Sequence, residues 1–380
     1  MGRALGESAL HACWRSRLIK PSATRRRFVV TLASAQALWS SPFRWAQAAG
    51  LQADEQVMLF PSTARRLLEG HWLARVEAWV HELESRPGAS RIFARYLGLD
   101  LSDLPTQDRA RFEARTRLFR VASKDRRVLR IKFGTDAPVL LPASDESGRV
   151  SAEVVVSAGP FAGPQWLDYS VMARNEAPAA FTGSVLALPD RGLSVISDID
   201  DTIKHTQVRD RREMLLNTFA RPFTPVAGMA DWMRQCATAD ASTSFHYVSG
   251  GPEQLYPAIG EFLQDEAFPR GTVQLRTVDL TKEVFASGAG TQAHKTAVIG
   301  RLLRDFPQRR FLLLGDSGEK DPETYAEIAR EHRDRIIAIL IRNVTGEDAH
   351  SPRYMTAMRD LPRKLWTVFD EPGQLPIRGF

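Results

Sequence analysis

The chain has 380 residues, 43% hydrophobic and 25% charged, a globular composition with room for two domains of ordinary size. Its formal charge is +6, but eight of the 51 basic residues and one of the 45 acidic ones lie in residues 1–48, leaving 43 against 44 in the rest. The body of the chain is thus near neutral, and net charge offers no footprint for nucleic acid.

The basic excess sits around "TRRRFVV" (Thr24–Val30), an arginine pair followed one residue later by an apolar pair, as in twin-arginine signals. The stretch "FVVTLASAQALW" that follows is too short and too polar to be a permanent membrane anchor. "AQA" (Ala46–Ala48) then places small residues where a signal peptidase needs them, and Arg44 just before is tolerated by the twin-arginine route. Residues 1–48 are therefore expected to be an export signal, which puts the mature protein in the periplasm or beyond. The plain alternative is a disordered basic leader or an amphipathic helix. No later segment has 18 or more consecutive apolar residues, so the mature protein should be soluble or peripheral to a membrane. Cys13 lies in the leader and leaves Cys236 alone, so no intramolecular disulfide can form and Cys236 should be a small buried hydrophobe.

Residues 49–190 alternate. In "GHWLARVEAWVHE", Trp72, Ala74, Val76, Ala78 and Val80 recur with period two, the signature of a strand. Residues 84–115 are charged and helix-like. Alternation returns in "RRVLRIKFG", with Leu129, Ile131 and Phe133 on one face, and again in "VSAEVVVSAG" and "FTGSVLALP". These features predict a mainly β domain with a helical insertion, sandwich-like, with no cluster of catalytic residue types; its expected role is that of a scaffold or accessory domain.

Residues 191–365 change rhythm. "LSVISD", "FHYVSGG" and "FLLLGDSG" are short, near-continuous apolar runs that end in polar, Gly-containing turns, with helix-like stretches such as "HKTAVIGRLLRDF" between them. Apolar strands alternating with helices predict an α/β fold, a Rossmann-like parallel sheet covered on both faces. Such sheets bind ligands at the carboxyl ends of their strands. Residues 366–380 are expected to be an irregular tail, since "DEPGQLPIRGF" is rich in Pro and Gly.

The chemistry-bearing residues fall at those strand ends. "SDIDDTI" places Asp198, Asp200 and Asp201 within four positions after an apolar run, and like charges so close resist desolvation unless a cation gathers them. Phosphoryl transfer to a carboxylate needs a nucleophile, a second acid, a divalent cation and donors for the transferring group. Asp198 is the first carboxylate after the strand, and Asp200 and Thr202 follow at spacings that return to the same side. Ser249 and Gly250 end the second strand, Lys295 opens a helix, and Asp316 ends the third strand with Asp321 five residues on.

"DIDDT", "VSG", Lys295 and "GDSGEKD", in this order, resemble the four motifs of the haloacid-dehalogenase-like phosphatases. The fuller strings "SDIDDTIKHT", "FHYVSGGPEQLYP", "FLLLGDSGEKDPETYAEIA" and "IRNV" resemble the catalytic domain of the actin-patch-type phosphatidate phosphatases over roughly residues 190–350. The resemblance implies a haloacid-dehalogenase-type sheet and Mg²⁺-dependent hydrolysis of phosphatidate to diacylglycerol. Asp198 would be the nucleophile forming an aspartyl-phosphate, and Asp200 the acid/base. Mg²⁺ would be held by Asp198, the Asp200 backbone carbonyl and Asp316, with Asp321 either a further metal-site acid or a surface carboxylate. Thr202, Ser249, Gly250 and Lys295 would bind the phosphate. The competing readings are an exported phosphatase for soluble phosphoesters or phosphoproteins, and a non-enzymatic, metal-stabilised envelope binding module.

Other residues have plainer expectations. Asp201 should face away from the metal as a solvated or capping carboxylate, and His246 should be a core histidine. His205 is open between substrate contact and a loop hydrogen bond, His294 should help position Lys295, and Ser317 should shape the Asp316 turn. The apolar segment 213–233, with Phe219, Phe223 and Trp232, is either core packing or a hydrophobic mouth for acyl chains.

Overall fold

The computed structural model describes residues 29–30, 50–68, 70–83, 88–159, 161–172, 178–278 and 289–377. Apart from Val29–Val30, the expected signal sequence lies outside the described residues. The N-terminal sheet comprises β1 (Val29–Val30), β2 (Glu55–Phe60), β3 (Ser62–Leu68), β4 (His71–Leu83), β5 (Val121–Ser123), β6 (Arg130–Phe133), β7 (Val139–Leu140), β8 (Arg149–Ser157), β9 (Gln165–Met172) and β10 (Pro178–Leu188). Its path runs β1-β8-β4-β3-β10-β9-β6-β7, so the strands form one continuous sheet rather than the two sheets of a sandwich. The 13-residue β4 holds it together: β3 and β2 pair in turn along one edge, β8 and β5 along the other. The alternation in β4 carries through, since Trp72, Ala74, Val76, Ala78 and Val80 all enter one core with Leu129, Ile131 and Phe133.

Helices α1 (Ala89–Leu97) and α2 (Thr106–Thr116) are the expected insertion, but they pack elsewhere than expected. Their apolar residues Ala94, Leu97 and Phe112 belong to the core of the C-terminal unit, not to that of the β sheet. Phe93, Phe112 and Phe119 surround Phe219, with ring centroids 5.6–6.2 Å from it. Arg111 and Arg115 donate to the carbonyls of Thr218, Ala220 and Arg221, which closes the exposed end of a neighbouring helix.

The second sheet is parallel throughout. Its strands are β11 (Leu193–Ser197), β12 (Ser244–Pro252), β13 (Thr272–Arg276), β14 (Arg310–Asp316), β15 (Ile336–Arg342) and β16 (Trp366–Phe369), in the order β13-β12-β11-β14-β15-β16. Thus Trp366–Phe369, expected within the irregular tail, form an edge strand; a β-branched and aromatic run, "WTVF", completes the sheet. One face is covered by α3 (Arg211–Phe219), α4 (Met229–Ala239) and α5 (Tyr256–Asp265), the other by α6 (Ala289–Asp305), α7 (Asp321–Glu331) and α8 (Pro352–Ala357). Alternate strand residues divide accordingly, Val195, Leu312 and Leu314 to the first core and Ile196, Leu313 and Ile339 to the second. Burial on both faces is why these strands read as unbroken apolar runs. Strand order reverses between β11 and β14, and that switch point is where the site lies.

Cys236 and His246 are both buried here. His246 bonds Thr272 at 2.9 Å, and burial followed by the nearby Arg309 holds its imidazole down to about 3, a neutral core histidine as expected.

Because Phe219 joins the insertion to the parallel sheet, Phe219→Ala should cost about 3–5 kcal/mol in urea unfolding. A loss under about 1 kcal/mol would place this aromatic cluster outside the cooperative core.

Candidate active site

The Asp198 backbone N–H donates to the Leu314 carbonyl at 2.8 Å, so the first residue beyond β11 is still tied to β14. Its carboxylate is fully buried. Oδ2 accepts the Thr202 hydroxyl at 2.9 Å, and Oδ1 lies 2.8 Å from the Lys295 ammonium. Thr202 therefore aims the Asp198 carboxylate instead of presenting its hydroxyl to a ligand.

Asp201 shapes the loop. It adopts φ 54° and accepts the backbone N–H groups of Thr206, Gln207 and Val208 at 2.7–2.8 Å. It is buried and turned from the other acids, so it is a capping carboxylate and not a solvated one. Positive φ is tolerable for aspartate because its side chain satisfies local backbone donors.

Asp200 is held by three donors. Lys204 Nζ reaches Oδ1 at 2.8 Å, Thr206 Oγ1 reaches it at 2.7 Å, and Ser249 Oγ reaches Oδ2 at 2.9 Å. Burial alone would raise its pKa, but the Lys204 charge and these hydrogen bonds outweigh that and hold the carboxyl below its ordinary range. Lys204, Thr206 and Glu319 are site residues that sequence reasoning passed over. The available signal was weak: a lysine four residues after Asp200 in "DDTIKHT", and a glutamate inside "GDSGEKD".

Ser249 also accepts the Gly251 N–H at 2.9 Å, which folds the end of β12 around its hydroxyl. A Cβ at Gly250 would come within 2.5 Å of the Thr291 side chain, so only glycine lets these segments meet. At the end of β14, Asp316 Oδ1 accepts the N–H groups of Gly318 at 2.6 Å and Glu319 at 3.3 Å. Asp321, the first residue of α7, accepts the Asp316 N–H on one oxygen and the Lys295 ammonium on the other. Lys295 thus joins Asp198, Asp321 and Glu319.

One ammonium faces four acids, Asp198, Asp316, Asp321 and Glu319. Burial raises Asp198 and Asp316 well above the ordinary carboxylate value; Lys295 opposes this, and the neighbouring acids add to it. Burial would lower Lys295, but Asp198, Asp321 and Glu319 hold it well above its usual value. Asp316 Oδ2 is buried without a hydrogen-bond partner. Ligand oxygens of Asp198, Asp316 and Asp321 lie within 4.8 Å of one another. An orphaned carboxylate oxygen in an all-oxygen, net-negative cluster fits a hard divalent cation such as Mg²⁺ or Ca²⁺. The Asp200 side chain does not join the cluster, being committed to Lys204, Thr206 and Ser249. Of the expected residues, the structure gathers Asp198, Thr202, Lys295, Asp316 and Asp321 directly and connects Ser249 through Asp200.

A cleft of about 650 Å³ opens beside Lys295 and Asp321, with Arg209, Lys320 and Arg353 in its walls. Ser317 accepts the N–H groups of Val344 and Thr345 and so pins the "IRNV" segment to the Asp316 turn. His294 bonds the Gln274 carbonyl at 3.4 Å and makes its contact there instead of at Lys295; the His205 backbone N–H donates to the Thr224 carbonyl. Phe219 and Trp232 are core residues. Phe223 is partly buried between Arg115, 3.5 Å from its ring centre, and Lys204 at 4.8 Å. The segment 213–233 is thus chiefly core packing.

Removing one acid should relieve the crowding and disable the cation site together. Asp316→Asn should melt at or above the wild-type temperature in chelator, yet lose most of the rise that Mg²⁺ or Ca²⁺ gives the wild type. An equal cation-dependent rise in both proteins, measured by calorimetry, would remove Asp316 from the cation site.

Comparison with known proteins bears on this arrangement. Residues 193–343 match the family model described as phosphatidate phosphatase APP1, catalytic domain. The Saccharomyces cerevisiae protein named phosphatidate phosphatase APP1 is 36% identical over 189 residues, 48% of this chain and 31% of that one. An uncharacterized protein of Schizosaccharomyces pombe is 32% identical over 172 residues, 44% of this chain and 28% of its own length. The chain therefore spans about three tenths of the length of these curated relatives. A solved 2,6-sialyltransferase of Photobacterium sp. covers 57% of this chain and 36% of its own at 7% identity and a TM-score of 0.21, too slight a likeness to bear on the fold. Both motif-bearing strand ends, Asp198 after β11 and Asp316 at the end of β14, fall inside the matched segment, so the likeness to the phosphatidate phosphatase APP1 catalytic domain rests on the residues that form this site.

Proposed function

We propose that this protein is a Mg²⁺-dependent phosphatase of the haloacid-dehalogenase type that hydrolyses a phosphomonoester through an aspartyl-phosphate on Asp198, with phosphatidate as the substrate. The observation that carries this reading is the pairing at the switch point: a buried, Thr202-aimed Asp198 against Lys295 and Asp316, with Asp200 two residues on and held separately. The match of residues 193–343 to the phosphatidate phosphatase APP1 catalytic-domain model supports the same chemistry.

One Asp198 oxygen attacks phosphorus opposite the ester oxygen. The ester P–O bond breaks as the Asp198–phosphorus bond forms, and Asp200 gives the departing oxygen its proton. Asp200 then takes a proton from water, the water oxygen attacks phosphorus, and the Asp198 carboxylate leaves with the bonding electrons to free phosphate. Asp200 is ionised among its three donors before substrate arrives; an incoming phosphate dianion raises its pKa by like-charge repulsion and allows it to take up the first proton. Lys295 and the N–H groups around Gly250 hold the non-bridging oxygens. Mg²⁺ held by Asp198 and Asp316 oxygens would offset the carboxylate charge and polarise a phosphoryl oxygen.

A soluble phosphomonoester is the second reading, favoured by the charged cleft walls Arg209, Lys320 and Arg353 and by the burial of Phe219 and Trp232 away from any mouth. Export is also part of this proposal: the twin-arginine pattern and "AQA" support a periplasmic protein beginning near Ala49, with residues 49–190 its accessory domain. Among the described residues, no helix is long and apolar enough to cross a membrane. A mature periplasmic N-terminus far from Ala49 would contradict the export reading.

Phosphate release from phosphatidate vesicles should require Mg²⁺ and exceed release from a panel of soluble phosphoesters; the reverse order would select the second reading. Asp198→Asn should lower turnover by about a thousandfold or more while circular dichroism stays native. Substantial residual turnover would sink the nucleophile assignment.

A further inference from the structure

We propose that the N-terminal β domain sets the phosphate-binding end of β12, Ser249–Pro252, through Arg149, which grips Glu253 and so acts as a positioning residue for phosphate. The inference rests on the reading of Ser249 and Gly250 as phosphate-binding residues.

Arg149 opens β8 in the N-terminal sheet, and Glu253 begins the single 3-10 turn (Glu253–Leu255) that follows β12. Their side chains form an ion pair, 16% and 8% exposed. The direction of Arg149 is set within its own sheet. Trp79 of β4 stands opposite it in register, and the guanidinium lies 4.1 Å from the Trp79 ring centre. That ring is fixed in turn by a 3.1 Å hydrogen bond to Ser123. Nε and Nη1 of Arg149 are buried without hydrogen-bond partners, so Glu253 is the acceptor that justifies an arginine there. Thr277 gives Glu253 a second, neutral donor.

The end of β12, an irregular loop within the strand's last residues, needs such an anchor. From Ser249 to Pro252 it reads Ser-Gly-Gly-Pro, and its pairing with β13 shifts register between Val248 and Pro252. Two adjacent glycines carry no side chain to pack and have the widest backbone freedom. One end of the loop is tied to Asp200 through the Ser249 hydroxyl. The other end is tied to Arg149. Other contacts between the two units include Gln274 to the Pro61 carbonyl at 3.3 Å, Arg301 to Glu77 and Arg75 to Asp305, both at 3.7 Å, Arg270 to Ser184 at 2.7 Å, and the rings of Phe60 and Tyr256, 5.5 Å apart; none of these is made by residues 249–253.

The test uses the full chain and inorganic phosphate, titrated by calorimetry in Mg²⁺ beside melting temperature. Arg149→Met should weaken phosphate binding at least tenfold and lower the melting temperature, because a buried carboxylate loses its cation. Adding Glu253→Gln should restore the melting temperature, since no unpaired charge remains, but leave phosphate binding weak. Arg149→Lys should recover part of the affinity. If the double variant regains wild-type phosphate affinity together with its stability, the pair is structural only and the inference fails. It fails equally if Arg149→Met binds phosphate like the wild type. Should Arg149→Met not fold, the double variant carries the test. A folded wild type that binds no phosphate would overturn the phosphate-loop reading itself, and the inference with it, a result distinct from any variant's.

Discussion

Three buried acids and the half-buried Glu319 share one ammonium at the carboxyl ends of β11 and β14, and the rest of the molecule is arranged so that this can persist. Desolvating an ion costs several kcal/mol even after relaxation, and attraction repays it only when partners are placed well. Lys295 compensates part of the charge, while Asp316 keeps one oxygen unpaired. The remaining imbalance is what a divalent cation would neutralise.

The supporting structure follows from that constraint. Acids can crowd only where rigid elements prevent them from turning away. The backbone tie from Asp198 to Leu314 fixes their separation. Asp201 gathers three N–H groups and locks the loop that carries Asp200. The helical insertion, although it interrupts the N-terminal sheet in sequence, buttresses the same region through Arg115, Phe223 and Lys204. The N-terminal unit is therefore joined to this region at two places, through α2 and through Arg149, and the two units share structure around the loop that carries Asp200.

Much of this was legible in the chain. Period-two alternation located β4, β6 and β8, and unbroken apolar runs located β11, β12 and β14, because each pattern follows directly from which faces of a sheet are buried. The strand-end acids were visible for the same reason: polar residues placed directly after a buried strand have few structural explanations. What misled was local composition. "WTVF" at residues 366–369 lies beside a Pro- and Gly-rich tail yet pairs with β15, since an edge strand needs only one neighbour. The insertion read as part of the domain that contains it, because sequence adjacency says nothing about which core an amphipathic helix joins.

The sequence by itself determined which chemical groups are available and, through strand periodicity, that Asp198, Ser249 and Asp316 lie at the same end of one sheet. Tertiary structure alone decided how those groups are divided. It committed Asp200 to Lys204, Thr206 and Ser249, turned Thr202 onto Asp198, drew Lys295 and Glu319 into the carboxylate cluster and left one Asp316 oxygen free. The reason is that hydrogen bonds and ion pairs are set by distances of about 3 Å between side chains far apart in the chain, and no spacing rule along a sequence encodes those distances.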